Sequence, residues 1–171
     1  MKWRFAVKFL VTFAALTALW AGSEFGIHYR TAVLAVVQVL SPGVNGWMLE
    51  HDQRDAVAAI VFRSGTRALP MQLELPALAM GLLPFVSLVV ATPGQSVRRI
   101  AASVVVGSLL YFASSVIFLL VYPFIMDRPN AIKDTLGVFS GLIVIVMQPL
   151  GLWFVLTYPV LRSLWQLNQE H

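Results

Sequence analysis

Cysteine is absent from this chain of 171 residues, and charged residues are scarce, at 12% of the total. The first absence excludes disulfides, thiolate nucleophiles and thiolate metal ligands, all of which require cysteine sulfur. The charged fraction lies well below that of an average soluble domain, which is about a quarter. With 58% hydrophobic residues and a mean hydropathy of +0.79, the composition predicts an integral membrane protein. The net charge of +4 includes no long Lys/Arg run, so nucleic acid is not an expected partner.

The uncharged runs predict helices rather than strands as the membrane-crossing elements. Backbone groups in lipid have no water to bond, so only helices and closed barrels cross a bilayer. The runs are too long and too uniformly apolar for the alternating strands of a barrel. We therefore predict one membrane domain, residues 1–171, that is all-α in its membrane part. Its four helical spans are expected at about 5–23, 76–92, 100–123 and 136–158, with an outer segment at 24–75.

The beginning of the chain allows two interpretations. A basic start, Met1 to Lys8, precedes the uncharged run from Phe9 to Ser23, which is also the layout of a signal peptide cleaved near Ala21. A retained helix is the preferred interpretation, because Phe5 to Ala21 comes close to the roughly 20 residues of a span. The next segment, 24–40, either extends that helix beyond the bilayer or lies along the membrane surface as an amphipathic helix.

A change of periodicity predicts a β-hairpin between the first and second spans. Ala56 to Phe62 is rich in β-branched residues, Arg63 to Thr66 has the composition of a turn, and Leu69 to Leu75 alternates. Pro70 indicates an edge strand, because proline cannot donate to a strand ladder. A lone hairpin is marginal in water. We therefore expect the hairpin, 56–75, to rest on a helix, the membrane surface or a partner.

Charge placement predicts the topology. Each side of the four-span arrangement carries six Lys/Arg residues, but one set is concentrated in short segments beside span ends: Lys2, Arg4, Lys8, Arg98, Arg99 and Arg162. The positive-inside rule applies best to such segments. We therefore place both termini in the cytoplasm and the hairpin outside.

Charged residues are nearly absent from the predicted spans, which argues against ion-coupled transport. Gln148 is expected to bond another helix, because an amide in hydrocarbon seeks an interhelical partner. Gly137 and Gly141 form a GxxxG motif, which permits close helix approach within the chain or in a dimer. Arg98 and Arg99 are typical topology determinants, with anionic lipid head groups as the alternative explanation.

One arrangement of acids and histidines suits a metal ion or a hydrolytic site. Glu24 and His28 are four residues apart and share a face on a helix, with His51, Asp52 or Asp55 as further ligands. No spacing of a known metal site is matched, so a solvated surface is the preferred interpretation. We predict no metal and no cofactor.

The order of these parts resembles the exosortase and archaeosortase group, and in particular the small exosortase-associated membrane proteins of Gram-negative bacteria. The likeness lies in three stretches: Met1 to Phe5 with Phe9 and Leu10, the hairpin-to-span run Leu73 to Phe85, and the closing run Leu152 to Leu161. Enzymes of that group look like transpeptidases with a nucleophilic cysteine near the hairpin-to-span junction. Here the junction reads Leu75, Pro76, Ala77, so the resemblance implies an accessory protein that lacks this chemistry.

These features predict a non-enzymatic accessory or scaffold subunit of a bacterial inner-membrane assembly, linked to protein sorting or surface export. Its expected partners are membrane lipid and either another membrane protein or a second copy of the chain. The alternative is a small lipid- or solute-handling protein with a pocket between spans near Gln148. A third hypothesis is a membrane hydrolase that uses Glu24, His28, His51 and Asp52.

Overall fold

The computed structural model describes residues 2–51, 60–71, 79–126, 135, 139 and 142–167. Within these residues the protein is mostly helical, with one small sheet. The helices are α1 (Lys2–Ala21), α2 (Phe25–Val44), α3 (Leu82–Ala91), α4 (Val97–Met126) and α5 (Gln148–Leu167), and a π-helical turn, Ile143–Met147, precedes α5. The strands are β1 (Met48–His51), β2 (Ile60–Ser64) and β3 (Arg67–Met71).

Two of the described helices are long and apolar enough to cross a membrane, Trp3–Ala21 and Val97–Met126, where the sequence predicted four. α3 has ten residues, or about 15 Å of helix against a hydrocarbon core of about 30 Å. The predicted second span began at residue 76, and residues 76–78 lie outside the described part of the chain. The predicted fourth span also includes undescribed positions, and its described part is divided between the π-helical turn and α5.

α4 packs against most of the other described helices. α2, α3 and α5 all pack against it, whereas α1 packs mainly along α3. Two glycines permit close approach: Gly107 lies against the ring of Phe85, and Gly81 lies against Tyr111 and Pro149. A β carbon at either glycine would overlap these neighbours, so the absence of a side chain sets the distance between α3 and α4.

The chain turns after α1 and forms α2 as a separate helix. The predicted continuation of the first helix through residues 24–40 is therefore not seen, and the predicted separate helix is closer to the structure. Three apolar side chains of α2 are buried, Val33, Leu34 and Val37, and they belong to the apolar core shared with the sheet and α4. Burial of this stripe explains why the segment does not simply continue α1.

The sheet is antiparallel, with the strand order β1-β2-β3. β2 and β3 form the predicted hairpin, with Phe62 opposite Leu69, and β1 is a third strand that the sequence did not predict. The turn is tighter than the predicted 63–66: it has two residues, of which Gly65 has a φ of +59°. Pro70 lies on β3, an edge strand of the described sheet. The predicted strand positions 56–59 and 72–75 lie outside the described residues.

Candidate functional site

The inner face of the sheet is fixed to the helices by an apolar core. Leu49, Ile60, Phe62 and Met71 all lie on this face, and none is more than 4% exposed. They join buried residues of α2 and of the second half of α4. Phe62 also stacks on Tyr122 of α4, with ring centroids 6.0 Å apart. The sheet is therefore held in a set position relative to α4.

A polar link after α2 strengthens this attachment. The Asn45 side-chain amide donates to the backbone carbonyl of Leu120, at 2.9 Å. Its Oδ1 accepts the backbone N–H of Trp47, also at 2.9 Å. One side chain thus satisfies backbone groups on α4 and on the approach to β1, which fixes the route by which the chain enters the sheet.

The opposite side of the sheet faces away from this core. Strand alternation places six residues there, which we call the outer sheet face: Met48, Glu50, Val61, Arg63, Ala68 and Pro70. Glu50 Oε2 lies 2.6 Å from Arg63 Nε, and both side chains are more than half exposed. An exposed ion pair contributes about 0–1 kcal/mol, so the pair matters more as a charged feature of this surface than as a source of stability.

A hydrogen-bonded pair of side chains joins α2 to α4. Ser115 Oγ donates to the carbonyl of Tyr111, at 2.9 Å, and lies 3.3 Å from the Tyr29 hydroxyl. Since the serine proton is already used, Tyr29 donates to Ser115. Burial raises the pKa of the Tyr29 phenol above its ordinary value, which keeps it protonated as a donor.

Gln148, predicted to contribute to helix packing, lies where α5 meets α4. Its Nε2 donates to Ser114 Oγ of α4. Its backbone N–H donates to the carbonyl of Ile143, five residues earlier, and the buried Pro149 follows immediately. Proline supplies no N–H, and a π-helical turn beside it is a common adjustment of a broken α-helical ladder. The other two predicted packing residues, Gly137 and Gly141, lie outside the described residues.

Arg98 and Arg99 lie in the first turn of α4, and both are exposed. Cations at a helix N-terminus oppose the helix dipole, so helix stability does not explain their placement. A hydrogen bond near these arginines in the sequence holds the end of α3 beside α5: the Trp153 indole donates to Thr92 Oγ1, at 2.9 Å. The paired arginines therefore lie near the end of the helical bundle that this contact defines.

The acids and histidines considered for a metal or hydrolytic site are not brought together among the described residues. Glu24 and His28 are 3.8 Å apart, and each side chain is more than three-quarters exposed. His51 ends β1, while Asp52 and Asp55 lie outside the described part of the chain. No group of three or more metal-ligating side chains occurs within the described ranges.

An apolar cavity of about 420 Å³ lies between α1, α3 and α4, close to the start of α2. Its walls include Leu16 and Trp20 of α1, Leu83 of α3, and Val104 and Ser108 of α4. The sequence predicted a pocket near Gln148, and this cavity lies elsewhere. Its position depends on how three helices diverge, which no local sequence pattern records.

Comparisons of this chain with protein-family models, with curated proteins and with solved structures found no match. The resemblance to exosortase-associated proteins therefore stays a prediction from the sequence.

Proposed function

We propose that this protein is a non-enzymatic accessory or scaffold subunit of a bacterial inner-membrane assembly linked to protein sorting or surface export. The observation that carries the proposal is the attachment of the sheet. Its inner face is closed off in the core with α2 and α4, and its outer sheet face is left for contact. A surface held rigidly in this way binds a partner at a lower entropic cost than a mobile loop does.

The proposal includes the four-span topology with both termini in the cytoplasm and the sheet outside. α1 and α4 supply two apolar helices of sufficient length. α3 forms part of the second proposed crossing and α5 forms part of the fourth. The contact of Gly81 with Pro149 at one end of α3, and that of Thr92 with Trp153 at the other, hold these two helices side by side. The two contacts follow the same order along both helices, so α3 and α5 run in the same direction. This is what two spans that both lead into the cytoplasm require.

The geometry of the strands supports a protein partner. β1 and β3 are the edge strands of the described sheet, and edge strands offer backbone groups to a further extended segment. Exposed Met48 and the Glu50–Arg63 pair combine apolar and charged contacts on one face. The partner we propose is the extracytoplasmic part of a membrane protein that performs the sorting reaction, because this chain has no cysteine nucleophile of its own.

Site-specific photocrosslinking of the full chain in its native membrane tests this role. A photoreactive residue at Ala68, on the outer sheet face, is expected to capture one defined membrane protein. The same residue at the exposed position Ser96, between α3 and α4, serves as the matched control and is expected to capture none of it. The complex should also survive purification in mild detergent and weaken in a Glu50→Ala/Arg63→Ala variant. A clean monomer with no Ala68 product would overturn the proposal.

The second candidate is a lipid-handling protein, and the observation that favours it is the apolar cavity. This cavity lies away from the position near Gln148 at which the sequence predicted a pocket. Gln148 itself is engaged with Ser114, so a substrate role for its amide would require that bond to break. Transport lost in Gln148→Leu without loss of folding would favour the original position of the pocket over the cavity.

A further inference from the structure

The cavity exists because α1 leaves α4 uncovered. α1 packs mainly along α3, so a gap remains between α1 and α4, with Leu83 and its neighbours on α3 as the floor. Its volume of about 420 Å³ falls within the range of about 300–1,000 Å³ that is typical of small-ligand sites. An apolar wall with no atoms opposite it loses dispersion contacts, so an apolar occupant would stabilise this arrangement.

The walls determine the chemistry of that occupant. Apart from the indole of Trp20, the polar side chains that line the cavity are two serines, Ser23 and Ser108. The Ser23 hydroxyl already donates to the carbonyl of Trp20, at 3.5 Å. A charged or strongly polar solute would lose its water here without compensation. A hydrocarbon chain has no such cost.

A cation lies one helical turn beyond the rim of the cavity. Gly26 of α2 lies against the indole of Trp20, where an added β carbon would be 3.0 Å from Nε1. Arg30 is four residues later, so it shares this face of α2 about 6 Å further along the helix. Arg30 is half-buried as a whole, and its Nε is buried without a hydrogen-bond partner in the structure.

Among the described residues no carboxylate pairs with Arg30, and a phosphate group matches the guanidinium fork in charge and geometry. The acidic residue nearest in sequence, Glu24, is directed to His28 instead. We propose that the cavity holds one acyl chain of a membrane phospholipid, and that the phosphate of this lipid pairs with Arg30. In the proposed topology the lipid belongs to the outer leaflet. The site does not depend on the accessory role.

Fluorescence quenching by a brominated lipid provides a direct test, because Trp20 lines the cavity. The full chain, purified in mild detergent and freed of lipid, is titrated with phosphatidylglycerol that carries bromine on its acyl chains. We expect saturable quenching at about one lipid per chain, and the saturable part should disappear in Trp20→Phe. Quenching that rises without saturation, or that is unchanged in Trp20→Phe, would overturn the proposal.

Two neighbouring valines of α4 provide a matched pair of variants. Val104 lines the cavity, whereas Val105 is not among the lining residues and is 58% exposed. Val104→Phe should fill the cavity and weaken lipid binding about tenfold or more, while Val105→Phe should bind as the parent does. Ser108→Leu repeats the test if Val104→Phe does not fold. Equal binding by the parent and both cavity-filling variants would contradict the site.

The head-group part of the proposal is tested separately. Loss of a charged hydrogen bond corresponds to about a tenfold change in affinity, so Arg30→Gln should bind the brominated phosphatidylglycerol about tenfold more weakly. Arg162→Gln, an exposed arginine on α5, is the control and should have no effect. A brominated diacylglycerol, which lacks the phosphate, should bind the parent and Arg30→Gln equally weakly. If diacylglycerol binds the parent as tightly as the phospholipid does, Arg30 does not hold the phosphate.

Discussion

Gly107 of α4 lies directly against the ring of Phe85 of α3, with no room for a β carbon. Gly107→Ala is therefore expected to push the two helices apart and to destabilise the protein by about 1–3 kcal/mol, the usual cost of overpacking. Thermal unfolding in mild detergent measures the change. Gly151→Ala in α5 is the control, because nothing lies within 4 Å of an added β carbon there. The control should be neutral or slightly stabilising, since alanine favours helix over glycine by up to about 1 kcal/mol.

The bond between Gln148 and Ser114 predicts a measurable coupling between α5 and α4. Such bonds between membrane helices contribute about 0.6 kcal/mol on average and up to about 2 kcal/mol. A double-mutant cycle with Ser114→Ala and Gln148→Leu, followed by unfolding in detergent, should give a coupling energy in this range. Strictly additive effects of the two substitutions would show that the amide contributes nothing through this serine.

The burial of Phe62 indicates that the sheet is firmly attached to the helices. Its side chain is fully buried and stacks on Tyr122, so Phe62→Ala should cost about 3–5 kcal/mol of local stability. We expect protease cleavage within the sheet to become much faster, while the helices remain protected. Met48→Ala on the outer sheet face, where Met48 is 67% exposed, should change the stability by less than about 0.5 kcal/mol. Similar cleavage of both variants would contradict the described core.

The absence of cysteine makes the proposed topology directly testable, because any introduced thiol is unique. Ala68→Cys should react with a membrane-impermeant maleimide applied outside intact cells with a permeable outer membrane. Ser96→Cys should react only after the inner membrane is opened. Both positions are exposed in the folded chain, so burial does not confound the comparison. The reverse labelling pattern would invert the topology, and labelling of both positions from outside would exclude it.

The β-branched run that ends at Phe62 and the alternation that begins at Leu69 were sufficient to predict the hairpin, because residue type and a period of two residues are local properties. β1 was missed although Leu49 is buried between the exposed Met48 and Glu50. Four residues give too short a pattern to separate a strand from a loop, and only pairing with β2 defines it. The predicted turn was longer than the two residues seen, since Arg63 and Ser64 have turn-like composition but belong to β2.

The interactions between helices were harder to predict from the sequence. An interhelical bond for Gln148 was expected from its position in an apolar run, but its partner Ser114 was not identifiable, since nothing local distinguishes the serines of α4. The cavity was missed altogether. It depends on the divergence of α1 from α4 and on the contact of Gly26 with Trp20. Both are tertiary relationships, and each segment taken alone has the pattern of an ordinary apolar helix.

The length of α4 determines how far the sheet would stand from the bilayer. Thirty residues of helix extend for about 45 Å, whereas the hydrocarbon core of a bilayer is about 30 Å thick. In the proposed topology, a helix that starts at the cytoplasmic surface with Arg98 and Arg99 would therefore rise up to about 15 Å above the opposite side. The sheet packs against the second half of α4, so in this topology α4 would hold the sheet at a set height above the membrane. Removing one turn from it would lower the sheet toward the lipid by about 5 Å without changing the sheet itself.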